Sequence, residues 1–180
     1  MFELALSFET PAGACGLAWS AAGLTRVRPF EASAGQALSG LPAGERVTEA
    51  EAPPHITAVI AGLRAFLAGE PASFDDVSLD MAGLSDFEAA LYNALRGVRW
   101  GETVTYGDLA RRIGAGTGAA RAVGAAMGRN PWPLIVPCHR VLSTGGKLGG
   151  FSAPGGGRTK RMLLAREGVH FDDGQLGLFG

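Results

Sequence analysis

Residues 130–151 read Asn-Pro-Trp-Pro-Leu-Ile-Val-Pro-Cys-His-Arg-Val-Leu-Ser-Thr-Gly-Gly-Lys-Leu-Gly-Gly-Phe, and at their centre Pro137-Cys138-His139-Arg140 fixes a thiol between a proline and two basic side chains. A free cysteine titrates near pH ~8.5, so little of it is thiolate at neutrality; a nearby imidazole or guanidinium raises that fraction. Cys138 is therefore a candidate nucleophile. A proline biases its predecessor toward extended geometry, so the apolar run Leu134-Ile135-Val136 reads as a short buried strand that delivers the thiol. Neighbouring side chains on extended chain point to opposite sides, so Cys138 and His139 are expected to communicate through a water. A buried free cysteine is by default an inert packing group. The flanking Pro, His and Arg and the glycine-rich loop that follows favour the reactive reading.

Upstream of this box the chain reads as helices. Ser85-Asp-Phe-Glu88 is a capping box, in which Ser and Glu each satisfy an N–H at a helix start, and Phe87, Ala90, Leu91, Ala94, Leu95 and Val98 form one apolar stripe. Trp100-Gly101 ends it. Thr105-Tyr-Gly-Asp108 opens a helix of about 105–113, Gly114–Thr117 turns, and a third helix runs over about 118–128. Two short helices across a glycine turn have the shape of a helix-turn-helix. The second, Ala119-Ala-Arg-Ala-Val-Gly-Ala-Ala-Met127, is lined with small residues that permit close backbone approach, and it carries one long cation, Arg121. Helix packing explains Ala122 and Ala126 equally well; it does not explain Arg121. Thr159–Glu167 reads as a closing helix stopped by Gly168, and Val169–Gly180 as a surface tail.

The first half is of a different kind. Phe2–Phe8, Cys15–Trp19 and Leu24–Phe30, separated by turns at Pro11-Ala-Gly13 and Gly23, predict a three-stranded antiparallel meander. Residues 31–54 read as loop with one short strand around Val47. Ile56, Val59, Ile60, Leu63, Phe66 and Leu67 predict a core-facing helix, and Val77–Met81 a further strand.

The 180 residues are 47% hydrophobic with a formal net charge of −1, enough apolar content for a core and no bulk charge that favours nucleic acid. Any nucleic-acid contact must be local. The arginines do gather in the second half, at Arg111, Arg112, Arg121, Arg129, Arg140, Arg158 and Arg161. Cys15 and Cys138 lie far apart, and no secretory signal or long apolar span is visible, so a reducing, cytoplasmic location without membrane attachment is expected.

From Phe87 to Gly168 the chain resembles the O6-alkylguanine-DNA alkyltransferases, suicide DNA-repair proteins. The resemblance runs in order through Tyr106-Gly-Asp-Leu-Ala110, Ala119-Ala-Arg-Ala-Val-Gly124, Asn130-Pro131, Val136-Pro-Cys-His-Arg-Val141, Leu148-Gly-Gly-Phe-Ser152, Lys160, Leu163-Leu164 and Glu167-Gly168. It implies an α/β (α+β) protein. An N-terminal ribonuclease H-like domain of β-meander plus helix, residues 1–82, would precede a C-terminal helical, winged helix-turn-helix-like alkyltransferase domain, residues 83–170, and a tail, 171–180. Some members hold a structural zinc in the N-terminal domain. Here Cys15 and His55 are too few for the usual four ligands, so no metal and no cofactor are expected.

The function that the resemblance implies is a single-turnover transfer of a methyl or other alkyl group from O6-alkylguanine, and from O4-alkylthymine, in double-stranded DNA to Cys138 of a monomer. Tyr106 and Arg121 would drive base extrusion from the minor-groove side, with Ala120, Gly124 and Arg129 as further DNA contacts. Tyr106 would also protonate guanine N3. The carbonyls of Cys138 and Val141 would accept from the exocyclic amine, the Ser152 amide would donate to O6, and Phe151 and Lys160 would complete the pocket. His139, through water, would take the thiol proton, with Glu167 holding the imidazole and Asn130 bracing the turn before the cysteine. Phe151 stands where many relatives carry tyrosine, and the 152–159 loop is longer than in better-known members, which bears on adduct size. The alternatives are an alkyltransferase-like protein that binds the lesion without transfer, and a helix-turn-helix regulator with a reactive thiol. A cysteine hydrolase is disfavoured, since no oxyanion hole or remote histidine accompanies the thiol.

Overall fold

Alternation of small and large apolar side chains on the first strands decides how the N-terminal half packs. In the computed structural model, which describes residues 3–171, β1 (Leu4–Thr10), β2 (Gly13–Ser20) and β3 (Gly23–Glu31) form the expected antiparallel meander. Leu6, Phe8, Cys15, Leu17 and Trp19 face the main core, while Ala5 and Ala18 face the other way, onto Leu38 and Leu41. The second face is covered by a helix that residues 31–54 do not announce, α1 (Ala34–Ser39), capped by the Ser33 hydroxyl. Its apolar stripe is too short to show a period. Gly16 admits it: a Cβ there would stand 2.6 Å from the Ala37 carbonyl oxygen. β2, covered on both sides, is buried along most of its length.

The strand expected around Val47 is β4 (Glu45–Arg46), which adds parallel to β1 and gives the sheet order β3-β2-β1-β4. α2 (Pro54–Ala68) lays Ile56, Val59, Ile60, Leu63, Phe66 and Leu67 against the core face. Residues 77–81 form no full strand. Only Leu79 bridges, to Leu24, because neighbouring backbone bonds are confined to Leu24 N–H with the Ser78 carbonyl and Asp80 N–H with the Leu24 carbonyl.

The second half consists of α3 (Asp86–Arg96), α4 (Tyr106–Arg112), α5 (Ala120–Gly128) and α6 (Gly156–Arg166). Both expected capping boxes form, Ser85 with Glu88 and Thr105 with Asp108. α5 begins later than the sequence suggests because residues 117–119 make a 3-10 turn, and α6 begins earlier because Gly155 accepts left-handed backbone as its N-cap. A two-stranded parallel ladder, β5 (Val104–Thr105) with β6 (Val141–Leu142), joins the start of α4 to the chain just after the cysteine. One contiguous apolar core runs from the meander through α2 and α3 to α5 and α6. Residues 172–180 of the expected tail lie outside the described residues.

Residues 130–137 differ most from expectation. Leu134-Ile135-Val136 is a tight turn: Leu134 sits at φ 77°, and the Val136 N–H donates to the Trp132 carbonyl at 2.8 Å. Proline on both sides of a short apolar run produces chain reversal as readily as extension. The Trp132 ring is buried at 1% exposure, meets Tyr92 edge-to-face at 5.8 Å, and donates its indole N–H to the Leu24 carbonyl of β3 at 2.8 Å. A second bond, Val27 N–H to the Pro131 carbonyl at 2.8 Å, makes the meander and this turn one packed unit.

Trp132→Ala removes a large buried aromatic and is expected to lower the unfolding free energy by roughly 3–5 kcal/mol. The shift of the urea midpoint measures it.

Candidate active site

α6 ends at Arg166, so Glu167 falls at its C-cap with its carboxylate buried. A buried carboxylate must be matched by donors or positive charge. Glu167 Oε1 lies 2.7 Å from His139 Nε2; Arg140 Nε donates to Oε2 at 2.9 Å and an Arg140 Nη to Oε1 at 3.0 Å. The backbone N–H of Gly101 adds a contact at 3.3 Å to Oε2. Gly101 holds φ 77°, and a Cβ would stand 3.1 Å from the Glu167 backbone oxygen, so this approach suits glycine. Burial raises the Glu167 carboxyl, but the hydrogen bonds from His139 and Arg140 outweigh it and hold the group below the usual carboxylate range. Arg140 was legible in the sequence only as a flanking charge. Its other Nη donates to the Val98 carbonyl at 2.5 Å, which ties the cysteine box to the loop after α3.

An ionised carboxylate can only accept, so His139 Nε2 carries the proton toward Glu167. Burial lowers the His139 pKa, Glu167 opposes that, and Arg140 and Lys160 add to it. The resting imidazole is neutral, with Nδ1 left as a bare acceptor, buried and without a protein partner among the described residues. Phe66 of α2 closes over the ring edge-to-face at 5.8 Å. Cys138–Arg140 is a single 3-10 turn rather than the extended chain expected, and its side chains fan around an axis.

Cys138 sits at the floor of a cavity of about 280 Å³ whose walls are Tyr106 of α4, Gly124, Met127 and Gly128 of α5, and the Gly150–Ser152 segment. Burial pushes its thiol up. The Asn130 side chain, the Lys160 ammonium and the adjoining backbone N–H groups pull it back without cancelling the rise. Asn130 Nδ2 donates to the Val136 carbonyl at 2.8 Å and its Oδ1 accepts from Trp132 N–H at 3.0 Å. Lys160, fully buried on α6, donates to the carbonyls of Val141 at 2.6 Å and Gly150 at 3.2 Å, and burial pulls its ammonium down to about 8. Tyr106, half-buried, packs over α5 at Gly124. Burial and the neighbouring sulfur raise its pKa, so its hydroxyl remains a neutral donor at pH 7.

Cys138, Tyr106, Phe151, Ser152 and Gly124 thus meet at one cavity, with His139, Glu167, Asn130, Lys160 and Val141 packed behind it. A second, open groove of about 630 Å³ runs outward from Tyr106 between the two helices, past Ala120, Arg121 and Arg111 to Ser143–Gly145. Arg121 is exposed there and makes no ion pair among the described residues. Arg129 stands apart from both spaces, bonded to Glu88 at 2.9 Å.

Residues 86–169 match the family model of the 6-O-methylguanine DNA methyltransferase DNA-binding domain. The methylated-DNA–protein-cysteine methyltransferase of Mycolicibacterium paratuberculosis is 45% identical over 120 residues, 67% of this chain and 70% of that protein. The protein of the same name from Mycobacterium bovis is matched over 61% of its length, less than two thirds. A DNA base-flipping protein of Thermus thermophilus is 39% identical over 160 residues, 89% of this chain and 97% of the relative. Among solved structures, Mycobacterium tuberculosis OGT in complex with DNA superposes with a TM-score of 0.74 at 36% identity, covering 96% of this chain and 98% of that one.

The Glu167 network carries a pH signature. The folded pKa lies below the unfolded value, near ~4.3, so the unfolded chain binds more protons as pH falls through that window; the stabilisation is complete above it and lost below. Glu167→Gln is expected to be less stable at pH 7 by roughly 3–5 kcal/mol, the cost of leaving a buried cation unmatched. The gap to wild type should narrow as urea titrations are stepped down through pH 4.

Proposed function

The chain belongs to the methylated-DNA–protein-cysteine methyltransferase family, and from that premise we propose that it repairs DNA by moving an alkyl group from guanine O6 to the sulfur of Cys138. The observation that carries the reading is the cavity with that sulfur at its floor, Tyr106 on one wall and a bare histidine nitrogen behind it. The space suits a flipped purine, and its mouth meets the groove that carries Arg121. Double-stranded DNA is the partner. Small residues on α5 allow close approach in the minor groove, where degenerate readout fits a protein that must inspect any sequence. Arg121 fills the gap left by the extruded base, with Ala120 and Gly124 along the same helix and Arg129 reaching a phosphate.

The thiol proton passes to His139 Nδ1 through a bridging water, and the imidazolium is held by Glu167. Sulfur bonds to the alkyl carbon as the carbon–O6 bond breaks, and the electron pair stays on the base. Tyr106 donates a proton to guanine N3 and is reprotonated as His139 gives up its proton, so the net change moves one proton from thiol to guanine. Ser152 N–H donates to O6, and the carbonyls of Cys138 and Val141 accept from the exocyclic amine. Lys160 already occupies one lone pair of the Val141 carbonyl and so fixes its direction. A thioether has no carbonyl for water to attack, so each molecule reacts once. The chain acts as a monomer in the reducing cytoplasm, where the thiol persists.

Incubation with an O6-methylguanine duplex should add one methyl mass, mapped to Cys138 by peptide mass spectrometry. Cys138→Ala should bind the duplex and gain nothing; binding without mass gain by wild type would instead mark a lesion binder. Arg121→Ala should slow transfer from duplex by about a hundredfold while leaving reaction with free O6-benzylguanine within about twofold, as expected when extrusion alone is impaired.

A further inference from the structure

Trp132 is far larger than its place in a four-residue turn needs, and it bonds to or packs against Asn130, Val136, Leu24 and Tyr92. Its backbone N–H donates to Asn130 Oδ1 at 3.0 Å, which decides which way the Asn130 amide faces: Nδ2 is left for the Val136 carbonyl at 2.8 Å. Its carbonyl accepts from Val136 N–H, and the Val136 carbonyl accepts from Cys138 N–H, both at 2.8 Å. Its indole N–H is anchored on the Leu24 carbonyl of β3. Its ring abuts Tyr92, whose hydroxyl donates to the Ala126 carbonyl of α5 at 2.9 Å, one residue before Met127 in the cavity wall. All of this is dry: Trp132 and Tyr92 are at 1% and 0% exposure.

We infer that Trp132 is a positioning residue for the transfer, a strut that sets the Asn130–Val136 turn under Cys138 from the N-terminal sheet and links that setting to α5 through Tyr92. The inference rests on the reading of Cys138 as the alkyl acceptor and of α5 as the helix on the duplex. It gives the N-terminal meander a part in the chemistry, because the anchor of the strut is a β3 carbonyl. Without the indole N–H, the turn is held to β3 by the Val27–Pro131 bond alone, and the Asn130 amide and the Cys138 backbone lose part of their fixed setting.

Trp132→Phe keeps the ring and deletes the anchor. Single-turnover transfer from saturating O6-methylguanine duplex should fall about tenfold, as a small misplacement of a reacting group would cause. The pH midpoint for iodoacetamide labelling of Cys138 should rise, since the Asn130 side chain and the backbone N–H groups that oppose the effect of burial on the thiol lose their alignment, and duplex affinity should hold. Ile60→Ala, a core change of α2 remote from the cavity, serves as the destabilised control and should move neither rate nor midpoint. Wild-type rate and midpoint in Trp132→Phe, or changes that Ile60→Ala reproduces, would overturn the strut. If Trp132→Phe does not fold, Tyr92→Phe decides: duplex transfer slowed about tenfold with free O6-benzylguanine unaffected supports the link, and equal wild-type rates on both refute it. Should wild type fail to take up methyl at all, the functional reading falls, while the labelling midpoint still reports on the strut.

Discussion

A carboxylate with no access to water is the constraint from which the site is built. Glu167 can be buried only because a guanidinium, an imidazole and a backbone N–H converge on its two oxygens. Those donors come from the cysteine box and from the loop between α3 and β5, so satisfying one charge brings three distant stretches of chain together. The same arrangement sets a tautomer. Because Glu167 accepts from Nε2, the opposite nitrogen is bare, and because burial, with Arg140 and Lys160 adding to it, lowers the imidazole pKa, the ring stays neutral at rest. Arg140 thus bears on the electrostatics of the imidazole without lining the cavity.

The thiol itself is not standing as an anion. Burial holds it protonated, against the pull of Asn130 and Lys160. A sulfur kept neutral until a substrate is in place is shielded from stray electrophiles, which fits the proposed role of a group that is used once. Lys160 contributes twice, by its charge and by clasping the carbonyls of Val141 and Gly150, which lie on the two sides of the glycine loop.

Much of this was legible in the chain. The meander, α2, α3 and the two capping boxes follow from alternation, periodicity and cap chemistry that are local, and the cysteine box with Glu167 was readable because its ordered motifs are specific. What could not be read was non-local or short. α1 has too few apolar positions to show a period, and only a close approach over Gly16 reveals it. The Leu134–Val136 turn imitates a strand, since its β-branched, apolar content favours extension while the flanking prolines permit reversal, and only the left-handed Leu134 separates them. The size of Trp132 gives no role by itself; its meaning lies in a carbonyl more than a hundred residues away in the sequence. Arg140 looked like a neighbour of the thiol, when its business is with a carboxylate on another helix.

The short parallel ladder has a consequence for how such a site can vary. Tyr106 begins where β5 stops, and β6 begins where the Cys138–Arg140 turn stops, so two residue pairs, Val104 with Val141 and Thr105 with Leu142, fix the span between phenol and sulfur. The segments 143–150 and 152–159, which bring Gly150 and Ser152 to the cavity and Ser143–Gly145 to the groove beside it, hang outside that brace. Insertions there can reshape which adducts are admitted while the distance over which bonds are exchanged stays constant, so breadth of lesion and speed of chemistry are free to diverge independently in this architecture.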